Sequence, residues 1–280
     1  MDIVLIGCGM IGGSMVMDLR HSEEATQVAG IDINEDHLKK SLELNIIDRY
    51  AEIEDVIPDA GLVILATPVD VSVELISRIL DCTGENTVVM DVGSTKGMIC
   101  AAVASHRHRQ KFVASHPIAG TEDSGPEAAI MGLFKEKIAL LCESQRSSEN
   151  ALNRVRDVYS ALGSALIEMD AGEHDRHLAY VSHLSHISAF TLGLTVLDIE
   201  KNEKHINLLA SSGFESTVRL AKSSPEMWGP IFSQNKHDIK TALDEYIRHL
   251  TMFRDMIVND EKDELAAQML RANDIRRILK

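Results

Sequence analysis

Aromatic side chains are scarce, at 4% of 280 residues, so aliphatic side chains must fill most of the core. Long apolar runs are missing. None approaches the roughly 18–20 residues a membrane span needs. Cysteine is sparse, and Cys8, Cys82, Cys100 and Cys142 are widely spaced with no CxxC pair. That pattern excludes a disulfide framework and a clustered zinc site, and is expected of reduced thiols in a cytoplasmic protein. Positive charge is also short. With 28 Lys and Arg against 43 Asp and Glu, the formal net charge is −15. Nucleic-acid binding rests on neutralising phosphates, so nucleic acid is not expected as a main partner. A first strand starting at Asp2 leaves no room for a signal peptide. There is no internal repeat or low-complexity segment, and HRHR at 106–109 reads as a solvated helix end.

The remaining composition, 45% hydrophobic and 25% charged, is that of an ordinary globular protein long enough for two domains. The first 170 residues alternate short β-rich runs with helical patterns. The runs are DIVLIG (2–7), QVAGID (27–32), LVILAT (62–67), TVVMDV (87–92), KFVAS (111–115), KIALLCE (137–143) and ALIEMD (165–170). Helices are expected over about 11–21 and 35–45, among others. This alternation predicts an α/β fold with a Rossmann-type, doubly wound, mainly parallel sheet. From Ala171 the pattern is helical only, over about 172–199, 203–223, 225–258 and 261–279. Gly213 interrupts the second stretch and Pro225 suits a helix's first turn. Two domains are therefore expected, 1–170 for dinucleotide binding and 171–280 as an all-helical substrate and dimerisation domain. Long amphipathic helices with many Leu, Ile and Met positions suit a homodimer.

Gly7, Gly9 and Gly12 form GxGxxG between a predicted strand and a predicted helix, and Asp32 ends the second strand. This is the context of a dinucleotide fingerprint. The glycines let backbone N–H groups of the loop and of Met10 and Ile11 approach a pyrophosphate at a helix N-terminus. A carboxylate at Asp32 suits ribose hydroxyls and repels a 2′-phosphate, so NAD is favoured over NADP. Gly13 and Ser14 extend the small run and suit close helix–sheet packing. Ligands in such folds lie beyond the carboxyl ends of the strands. Those ends carry Thr67-Pro68, Gly93-Ser94-Thr95-Lys96 and Ser115-His116-Pro117. From position alone, His116 serves equally as a proton acceptor beside a nicotinamide or as a buried loop histidine bonded to backbone.

SHPIAGTEDSG (115–125), with IGCGMIGGS, LATPVD, DVGSTKG, HDRHLAYVSHLSH (174–186) and GFESTVRLAKSSPEMWGPIFSQNK (213–236), resembles the prephenate and arogenate dehydrogenase family over nearly the whole chain. The resemblance implies NAD-dependent oxidative decarboxylation of a cyclohexadienol to a phenol, with aromatisation as driving force. It implies that His116 is the catalytic histidine and that Ser94 sits near the reacting hydroxyl and the nicotinamide. It assigns Arg219 to the ring carboxylate, Ser182 and His186 to the side chain, and Thr121 and Glu122 to the pocket wall. Lys96 either adds positive potential to the pocket or, as the favoured reading, lies at the surface, and Trp228 is expected in packing or a dimer contact. The chain departs from the family pattern at Ser185, where proline is common, and at SSGF (211–214), which is less glycine-rich. Prephenate and arogenate, which differ only in keto versus amino, are both open as substrates. With the chain ending at Lys280, tyrosine inhibition is expected to compete at the active site. A dianionic substrate in a chain of charge −15 needs a local cationic pocket. Screening over about 8 Å lets Arg219 and helix N-termini provide one.

His174, His177, His183 and His186 fall at about 0°, 300°, 180° and 120° around an ideal helix, so no metal site is expected. Another Rossmann dehydrogenase with a helical second domain would commonly rely on a lysine there, where this chain offers His186 and Arg219. A non-enzymatic NAD sensor would not need Ser94, His116 and Arg219 together.

Overall fold

The computed structural model describes residues 1–201 and 206–279. Eight strands form one sheet: β1 Asp2–Ile6, β2 Gln27–Ile31, β3 Arg49–Tyr50, β4 Leu62–Leu65, β5 Val88–Asp91, β6 Phe112–Pro117, β7 Ile138–Cys142 and β8 Ala165–Met169. Their order is β3-β2-β1-β4-β5-β6-β7-β8. Every pairing is parallel except β6 with β7, where His116 faces Leu140 across an antiparallel ladder. The central strands are apolar runs because helices cover both faces. Ile3, Leu5, Leu62 and Ile64 point into one core, and Val4, Ile6, Val63 and Leu65 into the other. Each such side chain is worth about 1.5–3 kcal/mol in burial.

The helices of the sheet region are α1 Met10–His21, α2 Glu35–Glu43, α3 Ile53–Val56, α4 Val69–Asp81, α5 Gly97–Ala102 and α6 Glu149–Ala161. Asp170 opens the helical region as a cap, its carboxylate accepting from Gly172 N and Glu173 N. The region contains α7 Ala171–Leu178, a π-helical turn at Ala179–His183, α8 Leu184–Glu200, α9 Ile206–Leu209, α10 Ser212–Val218, α11 Pro225–Gln234, α12 Lys236–Val258 and α13 Lys262–Ala272. None of the described helices is long and apolar enough to cross a membrane.

Several expectations are corrected. The single helix over 172–199 contains the π turn, and the helix over 225–258 breaks at Asn235. The start of the stretch over 203–223 falls partly outside the described residues. Its interruption lies at Ser211, whose extended backbone (φ −109°, ψ 175°) precedes α10, while Gly213 is helical. HRHR is only partly solvated. Arg109 is buried, donates to Phe112 O at 2.8 Å and pairs with Glu143 at 3.4 Å. Lys96 is not a surface residue at all. Its ammonium is fully buried, paired with Asp91 and donating to Ser115 O.

Candidate active site

The glycine loop closes β1 and opens α1. Gly7 has φ +93°, and a Cβ there would meet Ala66 O at 2.5 Å. At Gly12 a Cβ would meet Leu5 Cδ1 at 2.5 Å. These two glycines are needed by the fold itself. Gly9 differs, since a Cβ there meets nothing within 4 Å. The space in front of it is open, as close approach of a pyrophosphate requires. Asp32 sits beside the loop, its two oxygens accepting from Cys8 N and Asn34 N at 2.8 Å each. Cys8 itself is inert, its thiol pushed up to about 12 by burial and by Asp32. Thr67 and Pro68 end the neighbouring strand, with Thr67 Oγ1 2.8 Å from Ser72 Oγ and Pro68 as N-cap of α4. This loop, carboxylate and strand end fit a dinucleotide.

His116 lies in β6 at the carboxyl end of the sheet and is buried. Its Nδ1 is 2.9 Å from His174 Nε2, and His174 Nδ1 is 2.8 Å from Asp175 Oδ1. Among the described residues nothing hydrogen-bonds His116 Nε2. Burial, and then His174, Lys96 and His183, hold its pKa well below that of a free imidazole. The ring is therefore neutral at physiological pH.

Asp175 ties the helical region to the sheet. Its carboxylate accepts from Lys96 N and Gly97 N, both at 2.8 Å. Asn235 donates to Asp175 O at 2.7 Å and to His183 Nδ1 at 3.1 Å. Thr95 donates to Gln234 at 2.7 Å. The Ser94–Lys96 turn is thus clamped from the helical side, and Ser94 is half-buried without a hydrogen bond among the described residues.

The contacts continue to the remaining expected residues. His183 meets Trp228 edge-on, and Trp228 stacks on His186 at 3.5 Å between ring centroids. Trp228 is packed with Val69 and Ile231, joining α11 to the start of α4. His186 Nδ1 donates to the backbone carbonyl of Ser182 at 3.0 Å, so the Ser182 hydroxyl is not its partner. Burial lowers the His186 pKa, opposed by the Ser182 hydrogen bond and helped by the Arg219 charge. Arg219 is half-exposed and paired with Glu122 at 2.7 Å. Thr121 is turned toward the glycine loop, its hydroxyl 3.4 Å from Met10 Sδ.

His174, Asp175 and Asn235 were given no role by the sequence. The adjacent His-Asp pair within HDRHLAYVSHLSH was the available signal. No group of three or more His, Cys, Asp or Glu among the described residues could hold a metal ion.

Comparison with known proteins agrees with this layout. The chain matches the nucleotide-binding domain of prephenate dehydrogenase over residues 15–168 and its dimerization domain over 170–271. It is 30% identical to the prephenate dehydrogenase of Bacillus subtilis, over 98% of this chain and 75% of that one. It is 28% identical to the cyclohexadienyl dehydrogenase of Zymomonas mobilis, over 99% and 96%. The crystal structure of Aquifex aeolicus prephenate dehydrogenase with hydroxyphenyl propionate and NAD+ superposes with a TM-score of 0.88 at 30% identity, covering 100% of this chain and 98% of that one. With a glycine loop and Asp32 suited to NAD, and a neutral histidine at the strand ends, the chain belongs to the prephenate dehydrogenase family of NAD-dependent dehydrogenases.

Proposed function

We propose that the protein converts prephenate to 4-hydroxyphenylpyruvate by NAD-dependent oxidative decarboxylation. The observation that carries this is His116, neutral, buried at a strand end, held through Nδ1 and with Nε2 unengaged among the described residues. Residues 1–170 bind the cofactor, through the loop from Gly7 to Gly12, Asp32, Thr67, Pro68 and Ser94, and residues 171–280 complete the substrate pocket. Bound NAD supplies the hydride acceptor. His116 Nε2 accepts the proton of the ring hydroxyl as the carbinol C–H bond breaks. Ser94 orients that hydroxyl. The ring carboxylate departs as carbon dioxide, its electron pair completing the aromatic ring. General base help of this kind is worth about 10²–10⁴-fold.

Arg219 binds the ring carboxylate through its guanidinium fork, exchanging Glu122 for the substrate. Ser182 and His186 face the rest of the molecule, and Thr121, its hydroxyl turned to Met10, lines the wall on the side of the glycine loop. Arogenate is a second substrate on this reading. His186 donates its Nδ1–H to Ser182 O, so neutral His186 presents an acceptor at Nε2, which an ammonium N–H can satisfy. Absorbance at 340 nm with NAD and each compound tests both. Absence of NADH with either, beside clear NAD binding, would favour a sensor instead.

The active form is proposed to be a cytoplasmic homodimer. Helix α8 is apolar around its circumference, yet only Ala189 in it is buried, and Leu194 and Leu197 are 61% and 57% exposed. A helix of this kind needs a cover, and the match to a dimerization domain supports a second copy. Light scattering should give a dimer mass for the native chain and a monomer mass for Leu194→Glu/Leu197→Glu. A monomeric native chain would remove the proposal.

A further inference from the structure

We infer that His174 and Asp175 are positioning residues for His116, locking it in the one tautomer that presents a lone pair to the substrate. This rests on His116 being the base. The protonation states follow from donor and acceptor counting. The Asp175 carboxylate already accepts from Lys96 N and Gly97 N, each at 2.8 Å. A carboxylate has nothing to donate, so His174 Nδ1, 2.8 Å from Asp175 Oδ1, must carry the hydrogen. His174 Nε2 is then a lone pair. His116 Nδ1, 2.9 Å from it, must in turn be the donor. His116 Nε2 is left bare, as a base requires. His174 is fully buried, so water cannot replace it in this role.

Charge supports the same assignment. Burial works to protonate Asp175, but the hydrogen bonds from His174, Lys96 N and Gly97 N outweigh it and keep the carboxyl ionised. The groups around His116 are His174 and Asp175 from α7, His183 from the π turn, and Lys96 and Asp91 from β5 and the turn after it. His174 and His183 are held neutral, chiefly by burial. Lys96 and Asp91 form a pair that is neutral as a unit. Asp175 is then the uncompensated negative charge in this set. When His116 takes the hydroxyl proton at Nε2, the imidazolium is balanced through Nδ1–H, His174 and Asp175. The proton stays on His116 until the carboxylate leaves and its electron pair reaches the ring oxygen. His116 Nε2 then returns the proton to that oxygen, so that the product departs as the phenol and the base is neutral again.

The experiment compares His116→Asn, His174→Phe, His174→Gln and Asp175→Asn in the full-length enzyme, with kcat, KM and the pH profile measured for each. His174→Phe should lower kcat about 10²–10³-fold with KM within threefold, by analogy with carboxylate–histidine orientation elsewhere. His174→Gln, which restores a carbonyl acceptor for His116 Nδ1–H, should recover about tenfold of that loss. Asp175→Asn removes the balancing charge, so protonated His116 becomes less favourable and the acidic limb of kcat moves to lower pH. A merely structural pair would lower the active fraction without moving that limb. Unchanged kcat and an unmoved limb in His174→Phe and Asp175→Asn, beside loss of turnover in His116→Asn, would overturn the inference. Retained turnover in His116→Asn would overturn the assignment of the base instead. Should the variants fail to fold, ¹⁵N NMR of the native imidazoles decides: His116 protonated at Nδ1 is expected, and protonation at Nε2 refutes the inference.

Discussion

Gly9→Ala separates what the fold needs from what the cofactor needs. Gly9 is the N-cap of α1, with φ −92° and ψ −169°, a conformation alanine adopts freely. Its Cβ would meet no protein atom within 4 Å. Two small effects on stability oppose each other. Reduced freedom of the unfolded chain stabilises by about 0.4–1 kcal/mol. Alanine is a poorer N-cap than glycine by a similar amount, up to about 1 kcal/mol. The melting temperature should therefore barely move. Cofactor affinity should move a great deal, because the methyl enters the space a pyrophosphate must approach. Loss of one hydrogen bond to a charged group costs about 1.5–3 kcal/mol, or roughly 10–150-fold in Kd. Gly7→Ala is the contrasting control, since its Cβ falls 2.5 Å from Ala66 O at a φ of +93° and must disturb the fold. Thermal unfolding and calorimetric NAD titration read both quantities. A folded Gly9→Ala protein binding NAD within twofold of the native chain would refute the reasoning, as would a melting loss matching that of Gly7→Ala.

His116→Asn should cut kcat by about 10²–10⁴-fold with little change in KM, measured as NADH formation; a change confined to KM would reassign the residue to binding. Arg219→Lys should mainly raise KM for the substrate, because a bidentate grip is lost, and an unchanged KM would remove Arg219 from the pocket. Burial lowers the His183 pKa from 6.5 to about 4, so the unfolded chain binds this proton more readily than the folded one. Its contribution is full above pH 6.5 and is lost as pH falls toward 4, with about 2 kcal/mol of it gone by pH 5. Urea unfolding at pH 7 and pH 5 should show that loss, and His183→Gln should reduce it.

The sheet was legible because its interior strands are buried on both faces and so read as unbroken apolar runs, LVIL at 62–65 and VVM at 88–90 among them. Strand β3 escaped notice for the opposite reason. Arg49 and Tyr50 are both exposed and pair only with Ala29 and Gly30. The glycine turn between β1 and α1 was legible because its spacing is local. Lys96 was not, because its burial depends on Asp91 and on the Ser115 carbonyl of the next strand. Asp91 lies only five residues away, so what the sequence hides is the burial and not the spacing. The pair's cost of disruption, about 3–5 kcal/mol when one partner of a buried ion pair is removed, is visible only once the strands are assembled.

The histidines of the helical region show a sharper limit. An ideal helix sends His183 and His186 away from His174, yet the structure buries His174 and His183 together and joins them through Asn235 and Asp175. The π turn at Ala179–His183 accounts for the difference. Each residue in a π turn advances about 80° instead of 100°, so five residues cover the rotation that four cover in an α-helix. His174, His183 and His186 then fall at about 0°, 80° and 20°, on one face. The turn acts as a one-residue insertion, and i→i+5 hydrogen bonding has no residue signature in AYVSH from which it could be read. The same insertion lets one continuous stretch supply both ends of the site, with His174 and Asp175 behind the proposed base and His186 stacked on Trp228. In a regular helix that placement would require His183 and His186 to sit one position earlier in the sequence.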